Sequence, residues 1–328
     1  MRRAGHAAAA GACAAGAARL AYSAMSRRPP GGPKTWSRTN HRGEPVTLLE
    51  GPAVAAGAVA GVLAHAALAS ASGSPGSPGS AGWRRAVAMV VGGAGAAAFG
   101  AYDDLAGSGD RRGFRGHLGA LRQGEVTTGA VKLGGIGVTG VVSAALAGGS
   151  SVDVILNAGL VAGSANLLNL FDLRPGRAIK VAAASGVLLG AAGPDGVAAP
   201  LGAALALLPE DLGERAMLGD AGANALGAML GASAAGLSRP TRIALLAGIA
   251  GLTAASEKVS FTKVIARTPA LNWLDMVGRR PAPQPSGTES PETVPSETGP
   301  SETGPSETGP HAPQPLVTIP AQRPESSG

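Results

Sequence analysis

Long runs of Ala, Gly, Val and Leu alternate with short polar segments along the first 280 residues of this chain. These runs contain very few charges, whereas a helix on the surface of a soluble protein normally has a charged face. About 20 helical residues cross a hydrocarbon core of roughly 30 Å. The pattern predicts an all-α, polytopic bundle of eight to ten transmembrane helices, and a soluble Ala-rich helical protein is the alternative. The predicted spans are 5–25, 52–71, 83–101, 130–149, 152–170, 178–192, 196–209, 221–237 and 241–256.

The distribution of Lys and Arg predicts the orientation of the bundle, because cytoplasmic loops contain an excess of these residues. The first loop is rich in cations and is placed in the cytoplasm: Arg27, Arg28, Lys34, Arg38 and Arg42. Alternation then places four later segments on the same side: 102–129, 171–180, 209–220 and 257–280. A cleaved signal peptide is an alternative interpretation of residues 1–25, because two arginines precede an apolar run there.

Residues 281–328 have a different composition, in which Ser-Glu-Thr-Gly-Pro occurs three times between residues 296 and 310. Few apolar side chains are available to offset the entropy of ordering such a segment. The sequence therefore predicts a disordered cytoplasmic tail, rich in Pro, Ser, Glu and Thr, that follows a transmembrane domain at 1–280.

Charge is divided unevenly between these two parts: the tail has a net charge of −5 and residues 1–280 have +11. A positive excess fits anionic phospholipid and phosphorylated substrates as partners. Nucleic acid is excluded, because the cations are dispersed among apolar runs and aromatic residues for base stacking are scarce (3%). The single cysteine, Cys13, excludes an intramolecular disulfide.

Two acidic motifs lie at the ends of predicted spans. Asp103 and Asp104 end the third span, and two adjacent carboxylates can share a divalent cation, since Mg²⁺ prefers hard oxygen ligands. Asp220 opens a later span between Gly219 and Gly222, where small neighbours would let a phosphate ligand come close. The structural alternatives are a solvated helix end for the first motif and an ordinary helix cap for the second.

A third motif combines amides with a carboxylate. Spacings of three residues place Asn166, Asn169 and Asp172 along one side of a helix. Inside an apolar span these groups are costly unless they line a cavity or bind a ligand; hydrogen bonds between helices are the alternative. The cations that follow, Arg174 and Arg177, could reach lipid phosphate or clamp a diphosphate.

Histidines occur in two settings. His117 lies in a Gly- and Arg-rich loop, 111–132, that also contains Lys132 and whose composition suits anion binding, although a positive inner loop would look the same. His65 lies within a predicted span, where we expect a structural, hydrogen-bonding role. No Cys/His metal pattern, P-loop or nucleophilic Ser triad is present.

The three motifs, in this order, resemble those of the polyprenyl-phosphate N-acetylhexosamine-1-phosphate transferases (glycosyltransferase family 4). The resemblance covers roughly residues 40–280, and segments 113–117, 127–129 and 172–177 are similar to a less-studied bacterial branch. It implies Mg²⁺-dependent transfer of a sugar-1-phosphate from a UDP-sugar to polyprenyl (undecaprenyl) phosphate. The reaction would take place at the cytoplasmic face of the bacterial plasma membrane, in cell-envelope glycan biosynthesis. A homodimer is left open.

The resemblance also implies roles for individual residues. The catalytic residues would be Asp103, Asp104 and Asp172, with Asp103 acting as base or nucleophile on the lipid phosphate. Mg²⁺ would be bound by Asp104 and Asp220. The substrate-binding residues would be Asn166, Asn169, Lys132, His117, Arg174 and Arg177.

The chain departs from the family pattern at three places. Gly107 and Pro175 replace expected aspartates, and a segment at 266–273 stands where the family has a His-rich loop. These departures argue against phospho-N-acetylmuramoyl-pentapeptide transferase activity and leave the donor sugar open. Two alternatives follow: a non-catalytic relative that binds polyprenyl phosphate or a cell-envelope partner, and an unrelated transporter whose acids bind a coupling cation.

Overall fold

A computed structural model of the protein describes residues 2–72, 80–107, 119, 123–193 and 196–281. The structure is mostly helical (78%), as the sequence predicts. The predicted tail beyond Pro281 and the predicted ligand His117 lie outside the described residues.

The helices of the described residues overlap all nine predicted spans. In chain order they are α1 Arg2–Arg27, α2 Pro33–Trp36, α3 Glu50–Ala71, α4 Ala81–Ala106, α5 Thr128–Ala147, α6 Ser151–Phe171, α7 Arg177–Ala191, α8 Ala198–Leu212, α9 Gly219–Ser233, α10 Arg239–Ser256, α11 Phe261–Arg267 and α12 Pro269–Met276. A 3₁₀ turn, Ala234–Gly236, directly follows α9.

Four of these helices, α3, α4, α5 and α6, are long and apolar enough to cross a membrane. Helices α10 and α11 meet the same criteria together, with a bend of 94° between them, so up to five spans are supported. Helices α7, α8 and α9 have 15 residues each, which is about 22 Å of helix and shorter than a hydrocarbon core. The larger count of eight to ten spans stays a prediction.

Helix α9 lies at the centre of the bundle and packs against α3, α4 and α6. Nearly all of its residues are buried. A Cβ atom on Gly51 of α3 would lie 2.2 Å from the Leu218 carbonyl oxygen, and one on Gly222 would lie 2.6 Å from the Gly51 Cα. Glycine therefore allows the backbones of α3 and α9 to touch, which fixes the start of α9 in the bundle.

A β-hairpin, which the sequence did not predict, interrupts the helices. Strands β1 (Ser37–Thr39) and β2 (Pro45–Thr47) pair antiparallel. The Asn40 side-chain oxygen accepts hydrogen bonds from the backbone N–H groups of Arg42 and Glu44, a typical turn arrangement of asparagine. Thr47 also forms a parallel bridge to Ala216, so the hairpin is joined to the segment that precedes α9.

Candidate active site at the start of helix α9

The first turn of α9 binds carboxylates from the two other motifs. The backbone N–H groups of Asp220 and Ala221 donate to Oδ1 and Oδ2 of Asp104, at 3.0 and 2.9 Å. The backbone N–H group of Gly219 faces the carboxyl group of Asp172 and favours its charged form. The first N–H groups of a helix have no partner within it and form its positive end. The three motifs therefore converge on one helix N-terminus.

Lys132 joins the other two aspartates of these motifs, Asp103 and Asp220, which together with Asp104 and Asp172 form an acidic cluster. Its Nζ lies 2.6 Å from Asp103 Oδ2 and 2.6 Å from Asp220 Oδ2. The Thr128 hydroxyl, one turn before Lys132 on α5, also hydrogen-bonds Asp103. The side chains of Lys132, Asp103 and Asp220 remain 14%, 15% and 23% exposed. This part of the cluster is consequently accessible to a ligand from solvent.

Two glycines allow the close approach of α4 and α9. Gly219 has φ +58°, and a Cβ atom there would lie 3.0 Å from Asp104 Oδ2. A Cβ atom on Gly100 would lie 2.3 Å from the Asp220 carbonyl oxygen. Helix α4 extends about one turn beyond residue 101, where the predicted span ends. Asp103 and Asp104 therefore lie in its last turn. The negative end of α4 disfavours carboxylates, and the positive end of α9 offsets this.

Arg38 of β1 completes the connection between the hairpin and the site. Its guanidinium donates to the backbone carbonyl of Asp104. Arg38 was predicted only as one of the cations of the first loop, because nothing in a single sequence indicates a contact across 66 positions. The hairpin thus positions the end of α4 as well as the segment before α9.

Three carboxyl groups in or next to the acidic cluster are buried: Asp172 (9% exposed), Asp211 (2%) and Glu50 (0%). Burial, and then the charge of Asp211, raise the pKa of Asp172 well above its usual range. Burial raises the pKa of Asp211 to about 7, although the Gly176 N–H group donates to it. In the described part of the chain, neither carboxyl oxygen of Glu50 has a hydrogen-bond partner, nor does Asp211 Oδ2.

Glu50 and Asp211 were not among the predicted site residues. Both lie at the ends of predicted spans, which is the same signal that singled out Asp103. An acidic residue at a span end is common, however, and only the structure shows that these two point into the protein and not into solvent.

The two predicted asparagines lie on α6 and are partly buried. Their backbone follows the prediction, since α6 ends at Phe171 and Asp172 caps it. Neither side-chain amide, Asn166 or Asn169, takes part in a hydrogen bond within the described residues. Both amides are therefore available to a ligand.

The two predicted arginines differ in their surroundings. Arg177 is buried and binds Asp275 of α12 through two hydrogen bonds, at 2.7 and 3.0 Å, and Thr262 through a third. Burial alone would raise the pKa of Asp275, but the hydrogen bonds and charge of Arg177 lower it below its ordinary value. Arg174 is half-buried and has no carboxylate partner among the described residues. Arg174, and not Arg177, is thus free to bind a phosphate.

Magnesium fits only a small donor set here. Among the described residues, no group of three or more His, Cys, Asp and Glu side chains could hold a metal ion. Mg²⁺ is usually bound by one or two carboxylates together with waters and substrate phosphates. Asp103 and Asp220 meet that requirement, because their oxygens already converge on one cationic nitrogen. Asp104, a predicted ligand, instead uses both oxygens to cap α9.

Comparison with known proteins found no matching family model and no matching curated protein. The interpretation of the site therefore depends on its own residues. At the start of α9 the site consists of convergent carboxylates and one partly exposed lysine side chain. The two free amides lie on α6, and Arg174, which has no partner among the described residues, follows that helix.

Proposed function

We propose that the chain is a polytopic enzyme of the bacterial plasma membrane that transfers a sugar-1-phosphate from a UDP-sugar to polyprenyl phosphate. The reaction would serve cell-envelope glycan biosynthesis. The observation that supports this function best is the convergence of Asp104, Asp172 and Asp220 on the first turn of α9, with Lys132 between Asp103 and Asp220. Three motifs that resemble one transferase family thus meet in one place.

The proposed topology places this site at the cytoplasmic face. Asp104 ends α4, Asp172 follows α6 and Asp220 begins α9. If α3 to α6 cross the membrane, the ends of α4 and α6 lie on the same side, because one further helix separates them. The cation-rich first loop, which includes Arg38, contacts this end and favours the inner side.

The proposed chemistry is an in-line displacement at phosphorus. An oxygen of the polyprenyl phosphate attacks the β-phosphorus of the UDP-sugar, and the bond from that phosphorus to the bridging oxygen breaks. The bonding electrons leave with UMP, and the product is a polyprenyl-diphosphate sugar. A phosphate monoester is largely dianionic near neutral pH, since its second pKa is about 6. The protein must therefore bring two anions together, and positioned cations are its main contribution.

The described residues have distinct tasks in this scheme. Lys132 would turn from Asp103 and Asp220 to a phosphate oxygen, because its side chain is partly exposed. Asp103 and Asp220 would hold Mg²⁺, which neutralises developing negative charge when it is bound. Asp104 keeps the start of α9 in place. Arg174, with the two free asparagine amides, would bind the nucleotide.

A non-catalytic relative that binds polyprenyl phosphate is the second candidate. One observation favours it: each of Asp103, Asp104, Asp172 and Asp220 already interacts with a donor of this chain. Pro175 also stands where the transferase family has an aspartate. A protein that only binds the lipid phosphate would need the cations but not these acids.

The test is the release of UMP by the purified full-length chain with undecaprenyl phosphate, Mg²⁺ and a panel of UDP-sugars. We expect release with at least one donor, and a loss of at least about 100-fold in Asp103→Asn and Asp104→Asn. Asp153→Asn is the matched control, because it makes the same change at the far end of α6. Thermal unfolding of each variant checks that it folds.

Two results would count against the proposal. Unchanged release by both variants would overturn the site assignment. Folded wild-type protein that binds undecaprenyl phosphate but releases no UMP with any donor would favour the non-catalytic relative.

A further inference from the structure

A cavity of about 380 Å³ opens at the opposite end of the bundle from Asp104. It lies between α1, α3, α4, the start of α8 and the end of α9, and its walls are mostly Ala with Val62 and Met89. Arg85 lines it near the start of α4, whereas Asp104 lies 19 residues later, or about 28 Å along the helix. The volume is typical of a small-molecule site. The cavity is therefore separate from the candidate active site.

The polar lining of this cavity is basic. His6 of α1, His65 of α3 and Arg85 line it, and no described Asp or Glu does. The imidazole rings of His6 and His65 meet edge to face, with 6.4 Å between their centroids. Such a set offers one guanidinium and two imidazole donors to an anion.

Apart from the contact between the two imidazole rings, these three side chains have no polar partner among the described residues. Within the described residues, Arg85 forms no ion pair, and neither histidine donates or accepts a side-chain hydrogen bond. The structural hydrogen-bonding role expected for His65 is consequently not seen. The neighbouring Arg84, by contrast, donates to the Leu146 carbonyl at 3.1 Å. Arg85 is exposed and both histidines are partly exposed, so all three side chains can reach a ligand that enters the cavity.

We propose that this cavity binds a phosphate group, with Arg85, His6 and His65 as donors to its oxygens. The apolar walls would contact the first carbons attached to the phosphate, so a phosphate-monoester lipid fits better than free phosphate. Binding in this cavity does not depend on the proposed transferase reaction, because the cavity lies at the other end of the bundle.

The test is native mass spectrometry of the detergent-solubilised full chain with dioctanoyl phosphatidic acid, dioctanoyl phosphatidylcholine or inorganic phosphate. We expect phosphatidic acid to bind at least about tenfold more tightly than phosphatidylcholine, and Arg85→Gln to remove that preference. Arg84→Gln is the matched control and should bind like wild type, because Arg84 does not line the cavity. Inorganic phosphate that binds equally well, with the same dependence on Arg85, would support the site and identify the free anion as its source.

A second variant tests the location without removing charge. Ala69→Phe would fill the cavity from a partly exposed position on α3, and we expect it to weaken the binding of phosphatidic acid about tenfold. Equal binding by Arg84→Gln and Arg85→Gln, no preference over phosphatidylcholine, or undiminished binding by Ala69→Phe would each overturn the proposal.

Discussion

The two ends of helix α6 use ion pairs in opposite ways. At its start, Asp153 caps the helix and is bound by two arginines, Arg239 at 2.8 Å and Arg242 at 2.7 Å. Near its end, Asp172 belongs to a group of carboxylates in which Lys132 is the ammonium that bridges Asp103 and Asp220. Positive charge is in excess at one end, and negative charge at the other.

This difference separates structural pairing from a site that can bind a ligand. At the start of α6, the two arginines neutralise the charge of Asp153. The role of Asp153 is explained by capping α6 and binding α10. Among the described residues, the carboxylates near α9 outnumber the cations that bind them, and three of these carboxylates are buried. Buried charge without compensation is costly, so this end needs protons or an added cation. A divalent cation that arrives with a phosphorylated substrate would supply the missing positive charge.

The largest effect is expected from Lys132→Met. The change leaves Asp103 and Asp220 facing each other without a cation, which should cost about 3 kcal/mol of stability and lower UMP release at least about 100-fold. Unfolding in mixed micelles and the UMP assay measure the two effects. Adding Asp103→Asn should restore part of the stability but not the activity. Wild-type stability and activity in Lys132→Met would contradict the prediction, because the bridge would then contribute neither to the fold nor to the reaction.

A second prediction concerns pH and the buried acids. The pKa of Asp211 is raised by burial to about 7 from 3.8, so the folded state binds a proton that the unfolded state releases. This contribution to stability is present at pH 4 and is lost as pH rises to about 7. Asp211→Asn should therefore be more stable than wild type by roughly 2–4 kcal/mol at pH 8, with no difference near pH 4.

Unfolding of wild type and Asp211→Asn across this pH range measures the effect. Asp275→Asn is the control, and it should not be more stable than wild type at pH 8, because Arg177 holds the pKa of Asp275 below its ordinary value. If Asp211→Asn is less stable than wild type at pH 8, the charge of the Asp211 carboxylate is neutralised within the protein. The contrast between the two ends of α6 would then be wrong.

A smaller effect is expected from Gly219→Ala. The left-handed backbone at this position costs an L-residue about 1–2 kcal/mol, and the new methyl group would press on Asp104 Oδ2. We expect lower stability together with reduced UMP release. Gly137→Ala on α5 is the control, since nothing lies within 4 Å of its added Cβ atom. Equal behaviour of the two variants would contradict the tight approach of α4 and α9.

The smallest effect is expected at the other end of α6. Arg239→Gln removes a half-exposed partner, whereas Arg242 still binds Asp153. Exposed ion pairs contribute little, so unfolding and UMP release should match wild type within error. A loss as large as that of Lys132→Met would show that the two ends are not different in kind.

The nine helices that overlap predicted spans were predictable because each coincides with an apolar run, which a local hydrophobic pattern reveals. The short helices α2, α11 and α12 lie outside these runs and were not predicted. The number of spans is supported only in part, because four or five spans meet the length and composition criteria, whereas α7, α8 and α9 have 15 residues each. The hairpin at 37–47 was missed because its strands are three residues long and too short for a periodicity signal.

At the candidate site, the acidic motifs were found from their place at span ends, but their partners were not. Lys132 and Asp220 are 88 residues apart, and Arg177 and Asp275 are 98 apart. Such pairs depend on which helices pack together, information that a single sequence does not contain. For the same reason, Arg177 looked like a free phosphate clamp although Asp275 occupies it.

The central claim is that the acids gather at one membrane face, and labelling of single cysteines tests it most directly. In a Cys13→Ala background, Tyr102→Cys (46% exposed) and Leu173→Cys (64%) mark the ends of α4 and α6, and Val152→Cys (53%) marks the start of α6. With a membrane-impermeant maleimide, positions 102 and 173 should react only from the cytoplasmic side and position 152 only from outside. Reaction of positions 102 and 173 from opposite sides would contradict the account.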